Sequence, residues 1–286
     1  MRTAVITLVA GRHHHLALQQ RGLAAGTQDT DHYIVVTLHD PAAAEIVRER
    51  LPAADVLTVE LAAGRLPLAT ARNVGARRAL TAGAELLVFL DVDCVPGPTL
   101  LGRYSEAAHV AETSGDHRAL LCGTVAYLPP PPPGGYRLEQ LPDMAPPHPG
   151  RPTPATDEVL RDGDHRLFWS LSFAVTADTW LHTGGFCEDY TGYGGEDTDF
   201  ARTAAARGVD LWWVGGAPAY HQHHPVSHPP VEHLDDILRN GTLFRERWGN
   251  WPMEQWLRDF ADLGLIRHDP ATDTWHRTEK PVTSPA

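Results

Sequence analysis

Three stretches of this sequence carry more polar chemistry than packing requires. From Gly184 to Phe200 the chain reads GGFCEDYTGYGGEDTDF, with five glycines and five carboxylates in seventeen residues. Glycine lets a backbone take positive φ or approach a ligand closely. Glu196, Asp197 and Asp199 would repel one another unless a cation, a hydroxyl-rich ligand or a proton relieves them. A Gly-rich turn leading into a helix explains part of this, because acids suit the first turn of a helix and TDFARTAAARG reads as helix. It explains neither Tyr190 and Tyr193 nor the density of acids, so the stretch is read as a functional site.

The second stretch is Asp91-Val92-Asp93, directly after the apolar run Glu85 to Leu90. Acids at i and i+2 beyond the C-terminal end of a buried strand sit where open α/β sheets bind ligands. Such a pair holds Mg²⁺ or Mn²⁺ while phosphate oxygens and water complete the shell. A plain acidic loop with a helix cap is the alternative. The third stretch is Tyr220-His221-Gln222-His223-His224. Neutral imidazole is the commonest metal ligand, and strand-like alternation would put His221 and His223 on one side. Hydrated loop histidines are the plain reading. His13, His14 and His15 are consecutive and do not share a face, so they read as the start of the helix HHLALQQRGLAAG.

The elements that must position these groups alternate between strand and helix. Thr3 to Val9, Tyr33 to Leu38, Val56 to Leu61, Glu85 to Leu90 and Leu120 to Tyr127 are apolar, β-branched runs of the kind buried on both faces of a sheet. Trp169 to Thr176 and Asp210 to Val214 are two more. Ala42 to Leu51 and Leu68 to Thr81 read as helices; Arg77 and Arg78 form a solvated basic side, while Arg72-Asn73, near the helix start, is placed for a ligand. Asp40 follows the second strand, where an acid binds a ribose or base edge in nucleotide folds or simply caps a helix. From Pro129 to Pro154 the chain is Pro-rich and poor in apolar residues, which predicts an extended or mobile segment that builds no core. The tail from Val231 to Ile266 carries helices whose Leu234, Ile237, Leu238, Phe244, Trp248, Trp256, Leu257, Phe260 and Leu263 are packing residues. The last dozen residues are expected to fray.

Composition limits the function classes. The 286 residues suffice for one large α/β domain or two small ones. A net charge of −12 argues against a protein that tracks nucleic-acid phosphates, though a metal can still bridge acids to one nucleotide. Three cysteines without CxxC spacing suggest a reducing compartment. The start, MRTAVITLVAG, reads as a buried strand and not a signal peptide. No run approaches the roughly 18 apolar residues of a membrane span. A cytoplasmic protein without a membrane span is expected.

In combination, these parts resemble a known arrangement. A helix bearing RNVG, an apolar strand, DVD, a Trp/Phe-rich strand, GGF…GYGGEDTDF and a His-bearing strand end occur in this order in the GT-A glycosyltransferases. The likeness is greatest to the β-1,4-galactosyltransferase group and to bacterial chondroitin-polymerase-type enzymes, and covers roughly residues 3 to 228. It implies an α/β, GT-A (Rossmann-like), mostly parallel twisted sheet flanked by helices, with a C-terminal helical extension. Residues 1–128 would be the nucleotide-sugar-binding half, 129–165 a flexible insertion or lid, 166–228 the acceptor and metal half, and 229–286 the extension and tail. By the same resemblance, Asp93 binds the divalent ion, with Asp91 toward the ribose or sugar, and the metal-binding histidine is His221, with His223 or His224 as alternates to it. Asp197 is the general base and Glu196 its neighbour. Tyr193, Gly194 and Gly195 belong to the acceptor side; Arg12, Asp40, Arg72, Asn73, Asp91 and Val92 belong to the nucleotide-sugar side. The resemblance implies a UDP-sugar donor, Mn²⁺ or Mg²⁺, a hydroxyl-bearing acceptor and inversion at the anomeric carbon. The animal enzymes of the group have Trp where Tyr193 stands, which bears on acceptor identity.

Two other classes stand beside this reading. A metal-dependent nucleotidyl- or phosphotransferase would want a basic Gly-rich loop near the first strand, where only Gly11-Arg12 is found. A non-catalytic carbohydrate- or metal-binding module would not need the DVD triplet.

Overall fold

The computed structural model describes residues 1–114 and 118–278. The elements run β1 (Thr3–Val9), α1 (His13–Ala24), β2 (His32–Leu38), α2 (Pro41–Arg50), β3 (Asp55–Val59), α3 (Leu68–Thr81), β4 (Leu86–Leu90), β5 (Cys94–Pro96), α4 (Leu100–Thr113) and β6 (Ala119–Tyr127). They continue with α5 (Leu141–Met144), β7 (Val159–Leu160), β8 (Ser172–Thr176), α6 (Ala177–Thr183), α7 (Glu196–Ala206), β9 (Asp210–His221), α8 (Leu234–Trp248), α9 (Glu254–Asp262), β10 (Ile266–Asp269) and β11 (Thr274–Arg277).

Among the described residues, nine strands form one sheet in the order β3-β2-β1-β4-β8-β6-β9-β5, with β7 on β9. The β3-β2-β1-β4 half is parallel, as is the β6–β9 pair; β8 runs antiparallel between β4 and β6. Every residue of β1, β4 and β8 is buried, which is why these strands read as unbroken apolar runs and not as alternating ones. Ile6, Val36, Phe89 and Phe173 pack on one face with Phe200 of α7. Val5, Val35, Val88 and Leu121 pack on the other with Leu101 and Tyr104 of α4.

Several boundaries differ from the sequence reading, each for a physical reason. β9 does not stop at Val214. It continues through Gly215 and Gly216 to His221, because β6 remains parallel beside it across a register shift and β5 pairs on its other side. The Pro-rich segment does build core: Leu141 is buried with Leu128, Val95 and Tyr220, and Tyr136 and Leu138 pack against them. Proline prevents regular pairing but not side-chain burial. Trp169 precedes β8, because Leu171 already bonds to the turn through its carbonyl, which accepts from Asp91 N at 2.9 Å. Leu263 is exposed and does not pack. Within the expected frayed end, Thr274–Arg277 form a hairpin strand with β10; residues 279–286 lie outside the described residues.

Candidate active site

The first half of the site is made by a turn. After β4, Cys94 N bonds to Asp91 O at 2.8 Å, which folds the DVD triplet back so that β5 enters the sheet antiparallel to β9. In that register Cys94 lies opposite His221, and Gln222 N bonds to Asp93 O at 2.7 Å. The buried Asp93 carboxylate is therefore flanked by imidazoles: His221 Nε2 lies 3.6 Å from Oδ1 and His224 Nε2 lies 3.6 Å from Oδ2. One ligand atom from each of these three residues lies within 4.8 Å of the others, a carboxylate–imidazole set suited to a divalent ion such as Mn²⁺. Burial lowers the His221 pKa despite the pull of Asp93, which favours the neutral ring that a metal needs. Tyr127 stacks on His221 with ring centres 4.6 Å apart. Arg12, in left-handed backbone conformation at the start of α1, places its guanidinium on Asp93 Oδ2.

His224, and not His223, joins Asp93 and His221. Strand alternation cannot reach His223, because β9 ends at His221. Beyond it Gln222 Nε2 is tied to His15 O at 3.0 Å and His223 N to Tyr136 Oη at 3.2 Å, so the chain turns and His224 swings back. Asp91 is likewise not part of the three-residue set. Its Oδ1 lies 3.3 Å from Arg72 Nη2.

Arg72 joins this half to the second. Its side chain is almost wholly buried on α3, and Nη1 reaches Glu196 Oε1 at 3.2 Å while Nη2 holds Asp91. Phe186 covers the guanidinium at 5.2 Å. Glu196 and Asp197 occupy the first turn of α7, which starts at Gly195 with φ 92°. Burial, added to by Asp197 and opposed by Arg72, lifts the Glu196 carboxyl to about 7. Burial also raises Asp197, against Arg72 and the Thr198 N–H that donates to its Oδ1 at 2.7 Å. Asp91 is raised to about 6 by burial, with Arg72 opposing and Asp93 adding. A carboxylate poised in this way can take a proton from a hydroxyl group.

Asp199, the third acid of the cluster, points elsewhere. Its Oδ1 accepts from Arg247 Nε at 2.8 Å, Trp248 Nε1 at 2.7 Å and Tyr190 Oη at 3.2 Å, fastening α8 to α7. The Arg247 guanidinium supplies the positive charge that offsets Asp199, so this acid needs no ligand to be accommodated. The GYGG loop is held from α8: Asn240 Nδ2 donates to Thr191 O, Tyr193 O and Gly194 O, and Asp236 Oδ2 accepts from Tyr193 N. Tyr193 is half-exposed and stacked on His233 at 4.3 Å.

On the expected nucleotide side, Asp40 caps α2 through Ala43 N and accepts from Gly11 N and His13 Nε2. Burial raises its pKa, but these donors outweigh that and hold the carboxyl below its ordinary value. Asn73 does not face a ligand. Its amide exchanges two hydrogen bonds with the Phe186 backbone and a third with Glu188, fixing the GGF loop. The Val92 side chain is packed in the core. Tyr127 and His224 are the site neighbours that sequence patterning missed or ranked second. Tyr127 ends the paired strand β6, and His224 lies in the turn beyond β9, where contacts between distant segments decide position.

Residues 156–226 match the family model described as "N-terminal domain of galactosyltransferase". Validoxylamine A glucosyltransferase of Streptomyces hygroscopicus subsp. jinggangensis (strain 5008) is 29% identical over 174 residues, covering 50% of this chain and 36% of that protein. Its counterpart in S. hygroscopicus subsp. limoneus gives the same identity, covering 50% and 34%. The match thus spans about a third of these curated relatives. Among solved structures, S. aureus TarS 1-349 superposes with a TM-score of 0.56 at 15% identity, covering 93% of this chain and 71% of that one. GalNAc-T7 with UDP, GalNAc and Mn2+ gives 0.57 at 13%, covering 92% and 57%. TarS 1-349 in complex with UDP gives 0.55 at 16%, covering 93% and 71%. At such identities the superpositions establish the fold. Taken together, the superpositions establish the fold, residues 156–226 are similar to a galactosyltransferase domain, and a 174-residue stretch is similar to part of two glucosyltransferases.

Proposed function

We propose that the chain transfers a sugar from a UDP-sugar to a hydroxyl of an acceptor, with inversion at the anomeric carbon. The observation that carries this reading is the buried guanidinium of Arg72, which joins the Asp91 end of the DVD turn to the Glu196 end of the acid helix. One side then offers a divalent-cation set, Asp93, His221 and His224, and the other a pair of raised carboxylates. A bound Mn²⁺ or Mg²⁺ would neutralise the leaving diphosphate.

The remaining chemistry belongs to the side chains. Asp197 accepts the acceptor hydroxyl proton as that oxygen forms its bond to the anomeric carbon. The carbon–oxygen bond to the β-phosphate breaks, and UDP leaves. Glu196, held by Arg72, keeps Asp197 in a desolvated setting where its proton affinity is raised. Arg12 and Asp40 line the nucleotide side. Supporting the donor choice, two of the similar structures carry UDP, and one of these carries Mn²⁺ with it. The glucosyltransferase relatives make UDP-glucose the first donor to try.

The test is a product assay. The chain is incubated with Mn²⁺, each common UDP-sugar and a panel of hydroxyl acceptors, and released UDP and the product linkage are followed by NMR. Metal-dependent UDP release with an inverted anomeric centre is expected. A retained anomeric configuration, or no sugar transfer alongside nucleotide or phosphate transfer, would overturn the reading.

A further inference from the structure

The Pro-rich segment and the strand it follows contribute a row of rings beside the site. Tyr127, at the end of β6, stacks one face on His221 at 4.6 Å and is 45% exposed. His148 sits edge-on to Tyr127 at 5.5 Å and edge-on to Trp169 at 5.0 Å. Trp169 in turn lies over the Arg151 guanidinium at 3.9 Å. Arg151 is buried, and its Nε and Nη2 donate to Leu167 O and Trp169 O. The row is therefore braced from beneath and ends at an exposed ring in contact with His221.

His148 is fixed in more than position. Its backbone N–H bonds to Val125 O at 2.7 Å, and its Nδ1 accepts from Gly150 N at 3.1 Å. Accepting at Nδ1 puts the proton of the neutral ring on Nε2, which makes that atom a donor. An exposed phenol face beside an N–H donor matches one kind of ligand surface. A saturated ring presents C–H bonds to the aromatic face and hydroxyls to the donor.

We propose that Tyr127 and His148, braced by Trp169 and Arg151, form a binding wall for the acceptor, and that this acceptor is a pyranose or cyclitol ring without negative charge. The place follows from continuity with the site: Tyr127 touches His221 of the Asp93 set, and the chain from Trp169 reaches Leu171, whose carbonyl accepts from Asp91 N. The charge follows from Glu196, Asp197 and Asp91, which repel a uronate or phosphate on the acceptor. The one buried cation among them, Arg72, is already paired with two of these acids. This inference rests on the proposed glycosyl transfer only in calling the ring an acceptor; the binding wall itself does not require it.

The test is saturation-transfer NMR on the whole chain with methyl β-D-glucopyranoside, myo-inositol and methyl β-D-glucuronide, in the presence of Mn²⁺ and UDP. Wild type is expected to transfer saturation to the C–H protons of the first two and not to the glucuronide. Tyr127→Ala and His148→Ala should weaken binding about tenfold, as expected for losing one apolar contact surface. UDP binding, read by calorimetry on the same samples, should stay within about twofold of wild type. Because His148 also ties its own loop, Tyr127→Leu serves as the second variant, since it keeps apolar bulk on a half-exposed position. Normal UDP binding with no ring binding in wild type, preference for the glucuronide, or full ring binding in both Tyr127 variants would overturn the wall. Ring binding without any UDP binding would leave the wall standing and remove glycosyl transfer instead.

Discussion

Arg72 Nη1 lies 3.2 Å from Glu196 Oε1, with both side chains buried. Two elements far apart in sequence, α3 and α7, are joined there by a charge pair that solvent barely reaches. Removing the cation leaves a carboxylate pair with burial and no compensation. Arg72→Met should therefore lower stability by about 3 kcal/mol, roughly 6–12 °C in Tm for a chain of this size. Differential scanning calorimetry checks it. Adding Glu196→Gln should recover part of the loss, because the uncompensated charge is then gone, while turnover stays low in both variants. An unchanged Tm in Arg72→Met would mean that the pair does not join the halves.

The metal set gives a sharper contrast. His223→Ala should leave Mn²⁺ affinity unchanged, because His223 is bonded through its backbone to Tyr136 and His15 and lies outside the set. His224→Ala should weaken Mn²⁺ by on the order of tenfold or more, since even outer partners of metal ligands are worth that much. Mn²⁺ titration followed by electron paramagnetic resonance distinguishes the two. Equal losses would restore the alternating-strand assignment.

The raised carboxylates fix the sign of the pH response. Glu196 goes from an ordinary value of 4.5 to about 7 in the folded chain. The folded state then holds a proton that the unfolded state has released, so the stability it contributes is present below the unfolded value. It is lost as pH rises toward 7. The slope in that window is at most about 1.4 kcal/mol per pH unit. Glu196→Gln should flatten the pH dependence of the unfolding midpoint there. Sugar transfer should move the other way, rising with pH as Asp197 loses its proton. A stability curve in Glu196→Gln as steep as in wild type would show that Glu196 is ionised throughout.

The GYGG loop depends on backbone conformations that only glycine adopts cheaply. At Gly192 (φ 74°) an added Cβ would fall 2.1 Å from Asp236 Oδ2, the carboxylate that accepts from Tyr193 N. Gly192→Ala should cost about 1–3 kcal/mol and detach Tyr193 from α8. The expected signature is a rise in acceptor KM with UDP affinity unchanged. A wild-type KM would show that the loop does not position the acceptor side.

Much of the architecture was legible because it depends on runs of side chains. The buried strands β1, β2 and β4 are unbroken β-branched and aliphatic stretches, and no other element fits them. The DVD turn was legible because it follows such a strand directly. What escaped depends on register and on contacts between distant segments. The end of β9 is set by β5 and β6 beside it, so the alternation that suggested His223 stops two residues short of it, at His221. Asn73 looked placed for a ligand, yet its amide is engaged by Phe186, a partner on a distant loop. The Pro-rich segment looked unable to pack because its apolar residues are sparse. Leu141, Tyr136 and Arg151 nevertheless suffice to seat it, since each meets a surface already built by the sheet.

The measurement that bears most directly on glycosyl transfer from a UDP-sugar is calorimetric titration of UDP into wild type, Asp93→Asn and Asp197→Asn, each with and without Mn²⁺. Wild type and Asp197→Asn should bind UDP only with the metal, with similar affinity, and Asp93→Asn should lose that binding. Metal-independent binding in wild type, or the same loss in both variants, would contradict separate donor and acceptor roles for Asp93 and Asp197.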